Sequence, residues 1–186
     1  MGNCSSPLRQ AIRFHDHIEA KRILEDAGDG ASDLINEDQS ADCCFDILFC
    51  NVRAQSPVFT VVAQGDVAMM RMLIQYGADL DTRGVTFDET AMHIAAKTNN
   101  IAMVTLIHEY APHLINVTDC RDRLPLHWCV NLPARANTED RKETTSYVLS
   151  NMDTSLINAK DESQKSPLDY AMQNKHFEII SLLKQS

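Results

Sequence analysis

The sequence predicts an all-α solenoid of helix-turn-helix pairs linked by short hairpins, with residues 1–186 forming a single domain. Three observations predict it. A short motif recurs as Ser6-Pro-Leu-Arg-Gln-Ala11, Ser56-Pro-Val-Phe-Thr-Val61, Thr90-Ala-Met-His-Ile-Ala-Ala96, Leu124-Pro-Leu-His-Trp-Cys129 and Ser166-Pro-Leu-Asp-Tyr-Ala171. Its starts at 6, 56, 90, 124 and 166 place the middle three copies 34 residues apart, with gaps of 50 and 42 outside them. A second landmark, Leu34-Ile35-Asn36, Leu114-Ile115-Asn116 and Leu156-Ile157-Asn158, keeps the same register and is followed by an acid at Asp38, Asp119 or Asp161. Third, 44% hydrophobic and 23% charged residues suit a folded chain with one continuous core.

Each motif copy opens a short helix. Ser6, Ser56, Thr90 and Ser166 bring a hydroxyl that can accept from the free amides of a first turn. Pro7, Pro57, Pro125 and Pro167 suit the first helical position, where no amide is needed. In the first repeat a second helix is expected over His17–Ala27, with Ile18, Ile23 and Leu24 facing the stack and Gly28-Asp-Gly30 ending it. An insertion then covers about 37–54. It begins polar and turns apolar at Phe45, Ile47, Leu48 and Phe49, which are expected to fill a gap between repeats one and two. Repeat two places Met69, Met70, Leu73 and Ile74 in the core, and repeat three Met103, Val104 and Ile107. A second insertion, about 131–140, carries proline and polar residues and reads as a loop between the helices of repeat four. The last helix follows Phe177, with Lys184 and Gln185 available for a polar outer cap.

The motif resembles the Thr-Pro-Leu-His-x-Ala signature of ankyrin repeats, and its five copies cover nearly the whole chain. That resemblance implies a protein-binding solenoid, and it implies that His93 and His127 make structural hydrogen bonds between neighbouring hairpins. By the same analogy, contact residues fall at hairpin tips, before the motif and at the outer end of the first helix. Here those places hold Arg83, Phe87, Glu89, Lys97, Arg121, Arg123 and Lys165, and Trp128 is either an aromatic anchor or core packing. Arg83, Arg121, Arg123 and Lys165 would form a basic stripe that favours a partner with an acidic segment. Asp122 and Gln164 stand where the family's hairpin carries glycine, and Gly84 lies close to that place, so the last two repeats are expected to be the less stable ones.

A net charge of −9 argues against a nucleic-acid binder, whose affinity rests on cations neutralising phosphates. No cofactor is implied. Cys43, Cys44 and Cys50 lack the spacing and the histidine partners of a metal set, and all six cysteines read as free thiols. His127 and Cys129 lie two apart on one helix and cannot face each other, so an enzyme is not expected. With no secretory leader and no bilayer-length apolar run, the expected site is the cytoplasm or nucleus, as a monomer. The opening Met1-Gly-Asn-Cys-Ser-Ser6 also matches an N-myristoylation signal, with Gly2 and Cys4 as the two acylation sites that stable membrane attachment requires. Three readings follow: an adaptor or inhibitor, an acylated membrane scaffold, and a regulatory subunit of a larger enzyme or channel assembly.

Overall fold

The computed structural model describes residues 6–36, 56–131 and 138–185, without the side chains of 138–140. Its helices come in five pairs: α1 (Pro7–Arg13) with α2 (His17–Ala27), α4 (Pro57–Gln64) with α5 (Val67–Gln75), α6 (Ala91–Thr98) with α7 (Ile101–Tyr110), α8 (Pro125–Val130) with α9 (Thr138–Asn151), and α10 (Pro167–Gln173) with α11 (Phe177–Leu183). A short α3 (Ala31–Asn36) follows the first pair. The first helices α1, α4, α6, α8 and α10 pack in one row, and α5, α7, α9 and α11 pack in a second. Among the described residues there is no strand, and the hairpins are tight turns.

Helix starts follow the motif, with proline at the first position of α1, α4, α8 and α10. The hydroxyls do less uniform work than expected. Ser6 and Ser166 accept from Arg9 and Asp169 amides at 3.4 and 3.3 Å, whereas the buried Ser56 hydroxyl has no hydrogen bond among the described residues. Second helices are capped by Asp16, Asp66 and Asn100, which accept from Glu19, Met69 and Met103 amides at 3.0, 3.0 and 3.1 Å. Between the helices of a pair the chain turns through left-handed backbone at His15, Gly65, Asn99 and Lys175. Gly65 adopts this region freely and Asn99 at little cost, so the strain falls on His15 and Lys175.

The core runs through the stack along motif positions Leu8, Val58, Met92 and Leu126 and second-helix residues Met69, Met70, Leu73, Met103, Val104 and Ile107. Register is held by the landmark asparagines. Asn36 donates to the Gly77 carbonyl at 3.0 Å and accepts from the Asp79 amide at 2.8 Å, and Asn116 accepts from the Asp153 amide at 2.9 Å.

Three expectations change. Ile18 is 84% exposed and Ala20 is buried in its stead, while Leu24 is buried and Ile23 half-buried against the core as expected. Thr138–Asp140, read as loop, already belong to α9. The outer face of the fifth pair is not a polar cap, since Met172 is 47% and Phe177 76% exposed beside Lys184 and Gln185. The apolar insertion over 37–54, its three cysteines, and Gly2 and Cys4 lie outside the described residues, as do 132–137 of the second insertion.

Candidate partner-binding surface

The hairpin before α8 is built on one carboxylate. Asp119 Oδ1 accepts from the Arg121 and Arg123 amides at 2.9 and 3.0 Å, which closes the turn. Its Oδ2 accepts from Arg123 Nε at 2.8 Å and from the Trp128 indole N–H at 2.9 Å. Burial alone raises this carboxyl's pKa, but the donors from Arg123, Arg121 and Trp128 outweigh it and hold the group below the ordinary range. The next hairpin repeats the design: Asp161 Oδ1 accepts from the Lys165 amide at 3.0 Å and Oδ2 from the Tyr170 hydroxyl at 2.5 Å. Hairpins are joined through backbone, with the Cys120 amide donating to the Phe87 carbonyl at 2.8 Å and the Glu162 amide to the Arg121 carbonyl at 3.0 Å.

The hairpin before α6 uses a different device. Glu89 is only 4% exposed, and its carboxylate accepts from the Phe87 amide at 2.8 Å. Gly84 admits that carboxylate, because a Cβ there would lie 2.3 Å from Glu89 Cδ. The left-handed residue of this hairpin is Asp88, in the place that Asp122 and Gln164 hold in the next two. All three hairpins therefore carry this strain, and it does not single out the last two.

Four cations lie on three aromatic rings across this face. Arg121 sits 4.8 Å from the Phe87 ring centre, Arg123 5.1 Å from Phe87 and 4.8 Å from Trp128, and Lys97 5.4 Å from Trp128. Lys165 lies 5.4 Å from Tyr170 and donates to Gln173 at 2.9 Å. Phe87 meets Trp128 edge-on at 6.3 Å. Each such cation–ring contact contributes about 0.5–1 kcal/mol at an exposed site. Lys97 and Arg121 are exposed, with no carboxylate in ion-pair reach among the described residues.

The sequence-derived contact residues therefore separate. Phe87, Lys97, Arg121, Arg123 and Trp128 come together, and Lys165 forms a neighbouring unit with Tyr170. Arg83 flanks them and ties two hairpins, donating to the Asp88 and Thr118 carbonyls at 2.9 and 3.0 Å. Glu89 is withdrawn from the surface, since its carboxylate is used inside its own turn. Arg123, with 13% of its side chain exposed and paired to Asp119 at 2.7 Å, supports the site from beneath. Asp119 and Asp161 were missed as organisers, although a signal existed: each lies nine residues before an aromatic, Trp128 or Tyr170.

His93 is the second organiser. The Thr90 amide donates to its Nδ1 at 3.1 Å, so that atom is an acceptor and the proton sits on Nε2, which donates to the Arg123 carbonyl at 2.9 Å. Burial pushes its pKa down to about 4. At His127 the Leu124 amide plays the same part at 3.0 Å and burial again lowers the pKa. Among the described residues its buried Nε2 completes no hydrogen bond, although the Lys165 and Ala159 carbonyls favour its proton. Both imidazoles are neutral bracing groups. Beneath them, the buried Cys129 thiol is pushed up to about 12 by desolvation.

Among the described residues no helix is long and apolar enough to cross a membrane. In comparisons with known proteins, the family model described as ankyrin repeats matches residues 59–139 in three copies. A relative named putative ankyrin repeat protein FPV031, from Fowlpox virus (strain NVSL), is 29% identical over 119 residues. That alignment takes in 62% of this chain and 32% of the relative, so the chain spans about a third of the length of the relative it matches.

Proposed function

Since the chain carries ankyrin repeats, we propose that it is a non-enzymatic protein-interaction module, an adaptor or inhibitor, that holds an acidic segment of a protein partner on its hairpin and first-helix face. The observation that carries this reading is the cation–aromatic row. On a chain of net charge −9, Lys97 and Arg121 are exposed on ring faces with no carboxylate in ion-pair reach among the described residues, while Arg123 and Trp128 are fixed from below by Asp119. Fixed rings with exposed cations lose little side-chain freedom when a carboxylate docks, and Trp and Arg are the residues most enriched among binding hot spots.

The test is affinity capture from the source cell with the native chain and with Lys97→Glu/Arg121→Glu. Both residues are exposed, so the fold should survive. Arg123 is left intact because it satisfies Asp119. A partner retained by the native chain should fall at least tenfold in the variant, and its binding should weaken with salt. Retention of every specific partner by the variant would remove this face from the reading. The membrane reading rests on the opening sequence, and Gly2→Ala should shift the protein from membrane to soluble fractions if Gly2 and Cys4 are acylated.

A further inference from the structure

In the first-helix row, Ile12, Val62, Ala96 and Val130 stand six places after the start of the motif in the first four pairs and all are buried. Their counterpart in the fifth pair, Met172, is 47% exposed. The second helices repeat the contrast: Ala20, Met70 and Val104 are buried, whereas Ile180 is half-buried and Phe177 stands 76% exposed beside it. Leu168 is half-buried on the same pair. The fifth pair thus presents the positions that earlier pairs keep inside the stack.

The charge pattern of α11 points to the occupant. Ser181 is small and exposed, with Glu178 three residues before it and Lys184 three residues after it, both exposed. Glu178 approaches Lys142 only to 4.0 Å, at the limit of an ion pair. A two-fold axis through Ser181 lays α11 antiparallel on its own copy, and each Glu178 then faces Lys184 of the second copy. An isologous contact of this kind is the commonest way soluble chains pair. We propose that Leu168, Met172, Phe177 and Ile180 form a self-association surface on which a second copy of this chain packs, α11 against α11. This surface is separate from the cation–aromatic row and does not depend on that row's function.

Sedimentation equilibrium at low salt should show mass rising with concentration toward two copies and stopping there. Met172→Lys should weaken association at least tenfold, because the added charge would be desolvated in the contact. Glu178→Lys and Lys184→Glu should each weaken it severalfold, and the two together should restore it, as opposite charges then face each other again. These two positions are exposed, so they test the idea even if Met172→Lys disturbs folding, which circular dichroism would report. A mass of one copy up to about 100 µM would overturn the proposal. So would growth past two copies, or failure of the exchanged pair to restore association.

Discussion

Gln164 and Gly84 show opposite uses of backbone freedom within equivalent hairpins. Gln164 holds φ at 59°, a region that costs a side-chain-bearing residue about 1–2 kcal/mol. Its side chain is exposed, so Gln164→Gly should stabilise the chain by up to about 1 kcal/mol after the entropy that glycine returns to the unfolded state. A higher urea midpoint would show it, and an unchanged or lower one would refute it. Gly84→Ala should act the other way, since the new Cβ expels the Glu89 carboxylate and leaves the part-buried Phe87 amide without its acceptor, at about 1–3 kcal/mol. Titration of His93 adds a pH dependence. Its folded pKa of about 4 lies below the ordinary 6.5, so the unfolded chain binds the proton more tightly. Stability is therefore full above about 6.5 and falls as pH drops toward about 4, by roughly 3 kcal/mol in all. Unfolding by urea between pH 7.5 and 4.5 should follow this slope, and His93→Asn should flatten it.

Helix starts were legible because the motif encodes them directly: proline at the first position and a polar cap before it are local chemistry. The cation–aromatic residues were legible as hairpin-tip positions, but their partition was not. Nothing in the sequence tells that Glu89 folds back on Phe87 or that Arg123 is spent on Asp119, because both depend on which way a tight turn aims its side chains. α9 was obscured for another reason. The first turns of its buried face are polar, with Arg141, Thr144 and Thr145 buried ahead of Val148 and Arg141 meeting His176 of the adjoining pair, so hydrophobic periodicity could not place its start. The Thr144 hydroxyl is buried without a hydrogen bond among the described residues. Thr144→Val should accordingly stabilise the chain by about 1 kcal/mol, read as a shift in denaturant midpoint without a change in its slope.

Across the whole molecule, stability is a chain of nearest-neighbour contacts, and the first junction is held differently from the rest. Asp66 caps α5 with one oxygen and with the other meets His15 Nδ1 at 2.9 Å and His17 Nε2 at 2.8 Å, tying the first pair to the second. Burial raises this carboxyl's pKa, yet the Met69 amide and the two imidazoles together hold it low. Asp66→Asn should therefore loosen the first pair before the others, seen as faster amide exchange in α1 and α2 than in α6 and α7. The third and fourth pairs meet at Trp128, the chain's single tryptophan, whose ring lies 5.6 Å from that of His93. The molecule thus carries its own optical probe of one junction. An imidazolium quenches indole emission more than a neutral imidazole does, so protonation of His93 should lower the emission of Trp128 in the native chain. A carboxylate arriving at Lys97 would alter the same emission without any label attached.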